Sequence, residues 1–63
     1  MEIKLKEARQ AAGLTQTQLA DKIGKKQKDI SRWENGERTP SLPSLLLLAE
    51  ALECSVNDII SGQ

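Results

Sequence analysis

Sixty-three residues with nine basic and nine acidic side chains, one cysteine and no histidine make one small domain. No disulfide can close within it and no metal-ligand cluster is in sight, so it must fold on packing alone, burying only about 60% of its unfolded surface. The opening MEIKLKEARQ has no apolar signal core and the longest apolar run is Leu45–Ala49, far short of the ~20 residues of a membrane span, so a soluble cytoplasmic protein is expected.

The zero net charge hides an uneven distribution. From Lys22 to Arg38 six cations face three anions, giving +3, whereas Pro40 to Gln63 holds no Lys or Arg and three carboxylates, giving −3. The chain thus has a basic middle and an acidic tail.

Five helices are predicted, with no strand pattern, no repeat and no low-complexity segment. The first covers Glu2–Ala12, with Ile3, Leu5, Ala8 and Ala12 as an apolar stripe, and Gly13 terminates it. Leu14 then turns into the core. Thr15 caps the second helix, and Gln18 three residues on completes a capping box. Leu19, Ala20 and Ile23 face inward, and Gly24 ends the helix.

The third helix is predicted from about Lys26 to Asn35, with Gly36 as terminator. At ~100° per residue, Gln27, Ser31, Lys28 and Arg32 share one arc, and Asp29, Trp33, Ile30 and Glu34 share the opposite one. Ile30 and Trp33 are its core anchors. Trp33 is the sole aromatic residue and reads as a core plug. After a turn-like linker, Ser41 caps a fourth helix with Pro43 tolerated in its first turn. Its leucines point nearly all round, so it is either central or covered on a second side by a partner. Ser55 and Asp58 cap a fifth helix with Val56, Ile59 and Ile60 as its apolar residues, and Gly62 closes it.

Enzymatic chemistry is poorly provided for. Histidine and tyrosine are absent, no phosphate loop follows a strand, and Cys54 has no base near it in sequence and reads as a half-buried filler. The stretch from Thr15 to Gly36 is more informative. Two short helices joined by a tight Gly-containing turn can lay the second in the major groove of DNA while the first meets the backbone. The outward arc suits that use: Gln27 can pair with adenine, Lys28 or Arg32 with guanine, and Ser31 with either. Gln16 would donate to a phosphate beside free backbone N–H groups. Lys25 and Lys26 stand where the helix dipole disfavours cations, a liability that an adjacent phosphate turns into an attraction.

GLTQTQLADKIG, ISRWENG and the PSL, LLLLAEAL and Ser55 pattern resemble the helix-turn-helix family of phage repressors, Cro proteins and related bacterial regulators, over Leu5 to Ile60. The resemblance implies an all-α, compact, five-helix lambda repressor-like domain whose motif is helices two and three. It implies base contacts by Gln27, Lys28 and Arg32, flanked by Lys26 and Ser31, and phosphate contacts by Gln16, the Asn35 region and Arg38. It also implies a buried ion pair of Arg9 with Glu34, in keeping with the inward place of Glu34 on the helical wheel. Four residues depart from the family pattern. Lys25 replaces an apolar residue, Lys26 a Ser or Thr cap, Glu53 a Gly after helix four, and Leu47 a polar residue.

The expected function is therefore sequence-specific binding of double-stranded DNA by a small transcriptional regulator, a repressor, acting as a homodimer on a pseudo-palindromic operator with half-sites ~34–36 Å apart. Candidates for the dimer contact are Leu42, Leu46, Leu47, Val56 and Ile60. No cofactor, metal or small-molecule ligand is evident in the sequence. The alternative is a protein-interaction module on the same fold, antitoxin-like or an adaptor, with weak or no DNA binding.

Overall fold

A computed structural model describes residues Glu2–Ser61. In chain order the elements are β1 (Glu2–Ile3), α1 (Leu5–Ala11), α2 (Gln16–Ile23), α3 (Gln27–Glu34), α4 (Leu42–Ala51), α5 (Val56–Ile59) and β2 (Ile60–Ser61). The five helices form the body expected for a lambda repressor-like domain, and their starts and stops follow local chemistry. The Thr15 hydroxyl accepts the Gln18 N–H while the Gln18 side chain accepts the Thr15 N–H, so the capping box of α2 is complete. Ser41 Oγ accepts the Ser44 N–H at the head of α4, and Asp58 accepts from Ser55 ahead of α5.

The ends of α1 to α4 share one device. Each closes with two backbone bonds around a left-handed residue: Leu14 to Arg9 and Gly13 to Gln10, Lys25 to Ala20 and Gly24 to Asp21, Glu37 to Arg32 and Gly36 to Trp33, and Cys54 to Ala49 and Glu53 to Glu50. This is the paired closure that satisfies the last helical carbonyls. Three of the four pivots are glycine. The fourth is Glu53, at φ 54°, where a side chain is strained.

Two boundaries differ from the sequence expectation. The first helix starts at Leu5 rather than Glu2, because Glu2–Ile3 pairs antiparallel with Ile60–Ser61, Ile3 opposite Ile60. Ile60 accordingly leaves the helix that was expected to hold it and is extended, at φ −113° and ψ 143°. The Lys4 N–H donates to the Ile59 carbonyl, continuing the tie between the two ends. Periodicity could not show this, since a two-residue strand is too short to alternate. Gly62 lies outside the described residues.

The core gathers Leu5, Leu19, Ala20, Ile23, Ile30, Trp33, Leu45, Leu48, Ala49, Leu52 and Ile59. Leu14, Val56 and Ile60 pack against it half-buried, so Leu14 caps the core rather than entering it. On α1 the expected stripe is shifted: Ala12 is exposed and Arg9 is buried in its place. The helix α4 is two-sided. Leu45, Leu48 and Ala49 are buried, while Leu42, Leu46 and Leu47 face solvent. α2 packs chiefly on α3 and α4, and α4 on α5, so the body holds α3 on its flank.

Candidate nucleic-acid interface

The position of α3 is set from below by hydrophobic anchors and from the side by a polar chain. Ile30 and Trp33 are buried, which leaves the opposite arc outward. Gln27 and Lys28 are exposed there, and Ser31 and Arg32 are half-buried. The wheel drawn from sequence therefore matches the burial of this helix.

The polar chain begins at Arg9. Its guanidinium meets the Glu34 carboxylate through two bonds, Nε to Oε2 at 2.6 Å and a second nitrogen to Oε1 at 3.3 Å, and donates a third to the Leu14 carbonyl at 2.8 Å. With side chains 10% and 4% exposed, this is a buried, bidentate pair. It is the only ion pair among the described residues. Gln16 Nε2 donates to Glu34 Oε1 at 3.0 Å, and Gln27 Nε2 donates to Gln16 Oε1. One continuous chain thus runs from α1 through the end of α3 and the start of α2 to the exposed start of α3.

The sequence points to Gln16 only as a phosphate donor; its links to Glu34 and Gln27 appear in the folded chain. The available signal was that both glutamines stand at the first position of a motif helix. Their meeting depends on the angle between α2 and α3, which no linear spacing reports. Gln16 keeps one amide hydrogen beyond its bond to Glu34, and Gln27 keeps its carbonyl oxygen. Both ends of the chain can still meet a ligand.

The head of α3 has no side-chain cap from Lys26. Instead Asp29 accepts the Lys26 N–H at 3.2 Å, placing an anion in the first turn where the dipole favours it. Lys25 and Lys26 are exposed. At the other end Asn35 is exposed, and its amide donates to Ser31 Oγ and Glu37 Oε2, each at 3.4 Å. Arg38 is exposed in the turn that follows. Between α3 and the start of α4 lies a cleft of about 250 Å³ that brings Lys25, Arg32 and Arg38 together beside Asp29, Trp33 and Ser44. Cys54 takes no part in this face. Burial first, and the Asp58 carboxylate second, push its thiol pKa up, which suppresses the reactive thiolate and suits a filler.

A family model described as helix-turn-helix matches residues 5–59. The chain belongs to the helix-turn-helix family. Its relatives include the cryptic phage CTXphi transcriptional repressor RstR of Vibrio cholerae serotype O1, 38% identical over 56 residues, covering 89% of this chain and 50% of RstR. The antitoxin HipB of Escherichia coli K12 is 40% identical over 52 residues, covering 82% of this chain and 59% of HipB. The chain thus spans half to three-fifths of the length of these two relatives. Among solved structures, the P22 c2 repressor in complex with a synthetic operator superposes with a TM-score of 0.83 at 30% identity, covering 94% of this chain and 89% of that one. In this helix-turn-helix chain the motif is α2 and α3, as expected from sequence. No helix among the described residues is long and apolar enough to cross a membrane.

Proposed function

We propose that this chain is the DNA-reading domain of a transcriptional regulator, a repressor that works in the cytoplasm, with α3 in the major groove. The observation that carries this reading is the polar chain from Arg9 to Gln27. It ties the start of α3 to α2 while leaving the Gln27 carbonyl oxygen and the exposed Lys28 available to bases. The likeness to a repressor solved on its operator supports it.

Gln27 and Lys28 reach base edges, with Ser31 and Arg32 deeper on the same arc and Lys26 beside them. Gln16, Lys25, Asn35 and Arg38 meet phosphates around that helix and set its register. One such helix covers few base pairs, so specificity needs two copies on a pseudo-palindrome. Leu42, Leu46 and Leu47, 65%, 56% and 43% exposed, are the strongest candidates for the contact between copies. Val56 and Ile60 already spend part of their surface on the core.

Selection of bound duplexes from a random pool tests the reading, and two half-sites about 34–36 Å apart are expected. Arg32→Ala then relaxes preference at one base position, whereas Arg38→Ala weakens every sequence alike and lowers the salt slope by about one. Equal effects of both on all sequences would remove Arg32 from the base contacts. The likeness to the antitoxin HipB favours a second reading, a protein-interaction module using the leucine face. Duplex binding that is undetectable or independent of salt would select it.

A further inference from the structure

The cleft beside α3 gathers three cations from three separate places in the chain. Lys25 comes from the turn before α3, Arg32 from α3 itself and Arg38 from the turn after it. None of them has a carboxylate partner among the described residues, where the only ion pair is Arg9 with Glu34. Asp29 also lines the cleft, so three positive charges and one negative leave a net charge of +2.

The rest of the lining is largely polar. Ser41 Oγ and Ser44 Oγ share one hydrogen bond at 3.1 Å, and Ser41 Oγ also accepts the Ser44 N–H. Ser41 is exposed, so the hydroxyl pair stays open to water or to a bound group. Ser44 is only 7% exposed and its hydroxyl is already bonded to Ser41. Thr39 adds a third hydroxyl to the lining. The space, about 250 Å³, lies below the usual range for drug-sized ligands of roughly 300–1,000 Å³. It suits a small group.

From this arrangement we infer that the cleft is a binding site for a small phosphate monoester, taken as the dianion. A monoester carries about −1.5 to −2 at neutral pH, with a second pKa near 6, and matches the +2 lining. A phosphodiester of the DNA backbone carries one charge and leaves half of that field unanswered. Guanidinium groups bind phosphate oxygens in bidentate fashion, and the hydroxyls of Thr39, Ser41 and Ser44 in the lining offer neutral donors beside them. The binding itself stands without DNA. Its consequence rests on the proposed DNA reading: Lys25, Arg32 and Arg38 cannot serve the free ligand and the duplex together, so the monoester competes with the operator.

Trp33 lines the cleft and is the chain's sole tryptophan, so its fluorescence reports occupancy directly. Methyl phosphate and dimethyl phosphate are titrated separately into the whole chain at matched ionic strength and neutral pH. Methyl phosphate should give a saturable change and bind at least ~10-fold tighter than dimethyl phosphate, with affinity falling as pH drops through about 6. Lys25→Gln and Arg38→Gln should each weaken methyl phosphate by ~10-fold, on the scale of one charge-assisted hydrogen bond. Both residues are exposed, and circular dichroism checks that both variants fold. Equal affinity for the two esters, no saturable change, or insensitivity to both substitutions would overturn the site. With an operator duplex added, methyl phosphate should displace it at constant ionic strength. A duplex that stays bound overturns the competition. A chain that binds methyl phosphate but no duplex keeps the site and removes the DNA reading.

Discussion

Glu34 accepts three bonds from two partners with its two oxygens. It neutralises Arg9 through two bonds and accepts from Gln16 on the oxygen that also takes the longer of those bonds. Removing it strands a guanidinium that is nearly sealed from water, and breaking a buried pair from one side costs about 3–5 kcal/mol. Glu34→Ala should lower unfolding free energy by that amount in a urea titration. A loss within ~0.5 kcal/mol, typical of a surface site, would show that Arg9 reaches water. Arg9 was placed in this pair by family resemblance, whereas the third bond to Leu14 and the link to Gln16 come only from the folded geometry. Glu53 is the other residue under tension. Its left-handed backbone, at φ 54°, is the position glycine fills at the ends of α1, α2 and α3. Glu53→Gly should therefore raise stability by ~1 kcal/mol, with the strain relieved set against the added freedom of the unfolded chain. Thermal unfolding checks this, and a lowered midpoint would mean that Glu53 makes a compensating contact.

At the scale of elements, α3 is short and begins without a good cap of its own. Asp29 makes up for Lys26 by accepting its N–H. Asp29→Ala removes that bond and the favourable charge in the first turn, and should cost ~1 kcal/mol. Amide exchange at the head of α3 should quicken selectively. Uniform quickening through all helices would assign Asp29 to global stability instead. α4 illustrates a different limit. Its near-continuous leucines mark it as either central or covered on a second side by a partner, and only the packing against α2 and α5 shows which leucines are spent internally and which remain outward.

For the whole molecule, the exposed leucines and the joined ends matter most. Leu42 and Leu46 are 65% and 56% exposed, so polar replacements there should change the stability of one copy by no more than ~0.5 kcal/mol. If these residues join two copies on DNA, Leu42→Ser with Leu46→Ser should abolish the 2:1 complex with a two-site duplex while one half-site is still bound. Sedimentation distinguishes the two stoichiometries, and an unchanged 2:1 complex would move the contact elsewhere. The pairing of Glu2–Ile3 with Ile60–Ser61 closes the body by joining segments nearly the full chain apart.

Helix order, the capping of α2, the glycine stops and the outward arc of α3 were legible in the residues because each depends on neighbours within one or two turns. Spacing and capping chemistry act at that range. Three long-range contacts did not come from spacing. Gln16 meets Gln27 across the motif, Lys25 and Arg38 converge with Arg32 on one cleft, and the two ends pair as strands. Each joins residues far apart in the chain: the first two depend on how α2, α3 and α4 are angled by the shared core, and the third on the packing of α1 against α5. The sequence by itself determined the family, the motif and the candidate reading face. The tertiary structure decided which polar groups are tied together, which leucines are left outside, and that three scattered cations surround one small space, because only packing brings distant side chains within the few ångströms at which hydrogen bonds and close charges act.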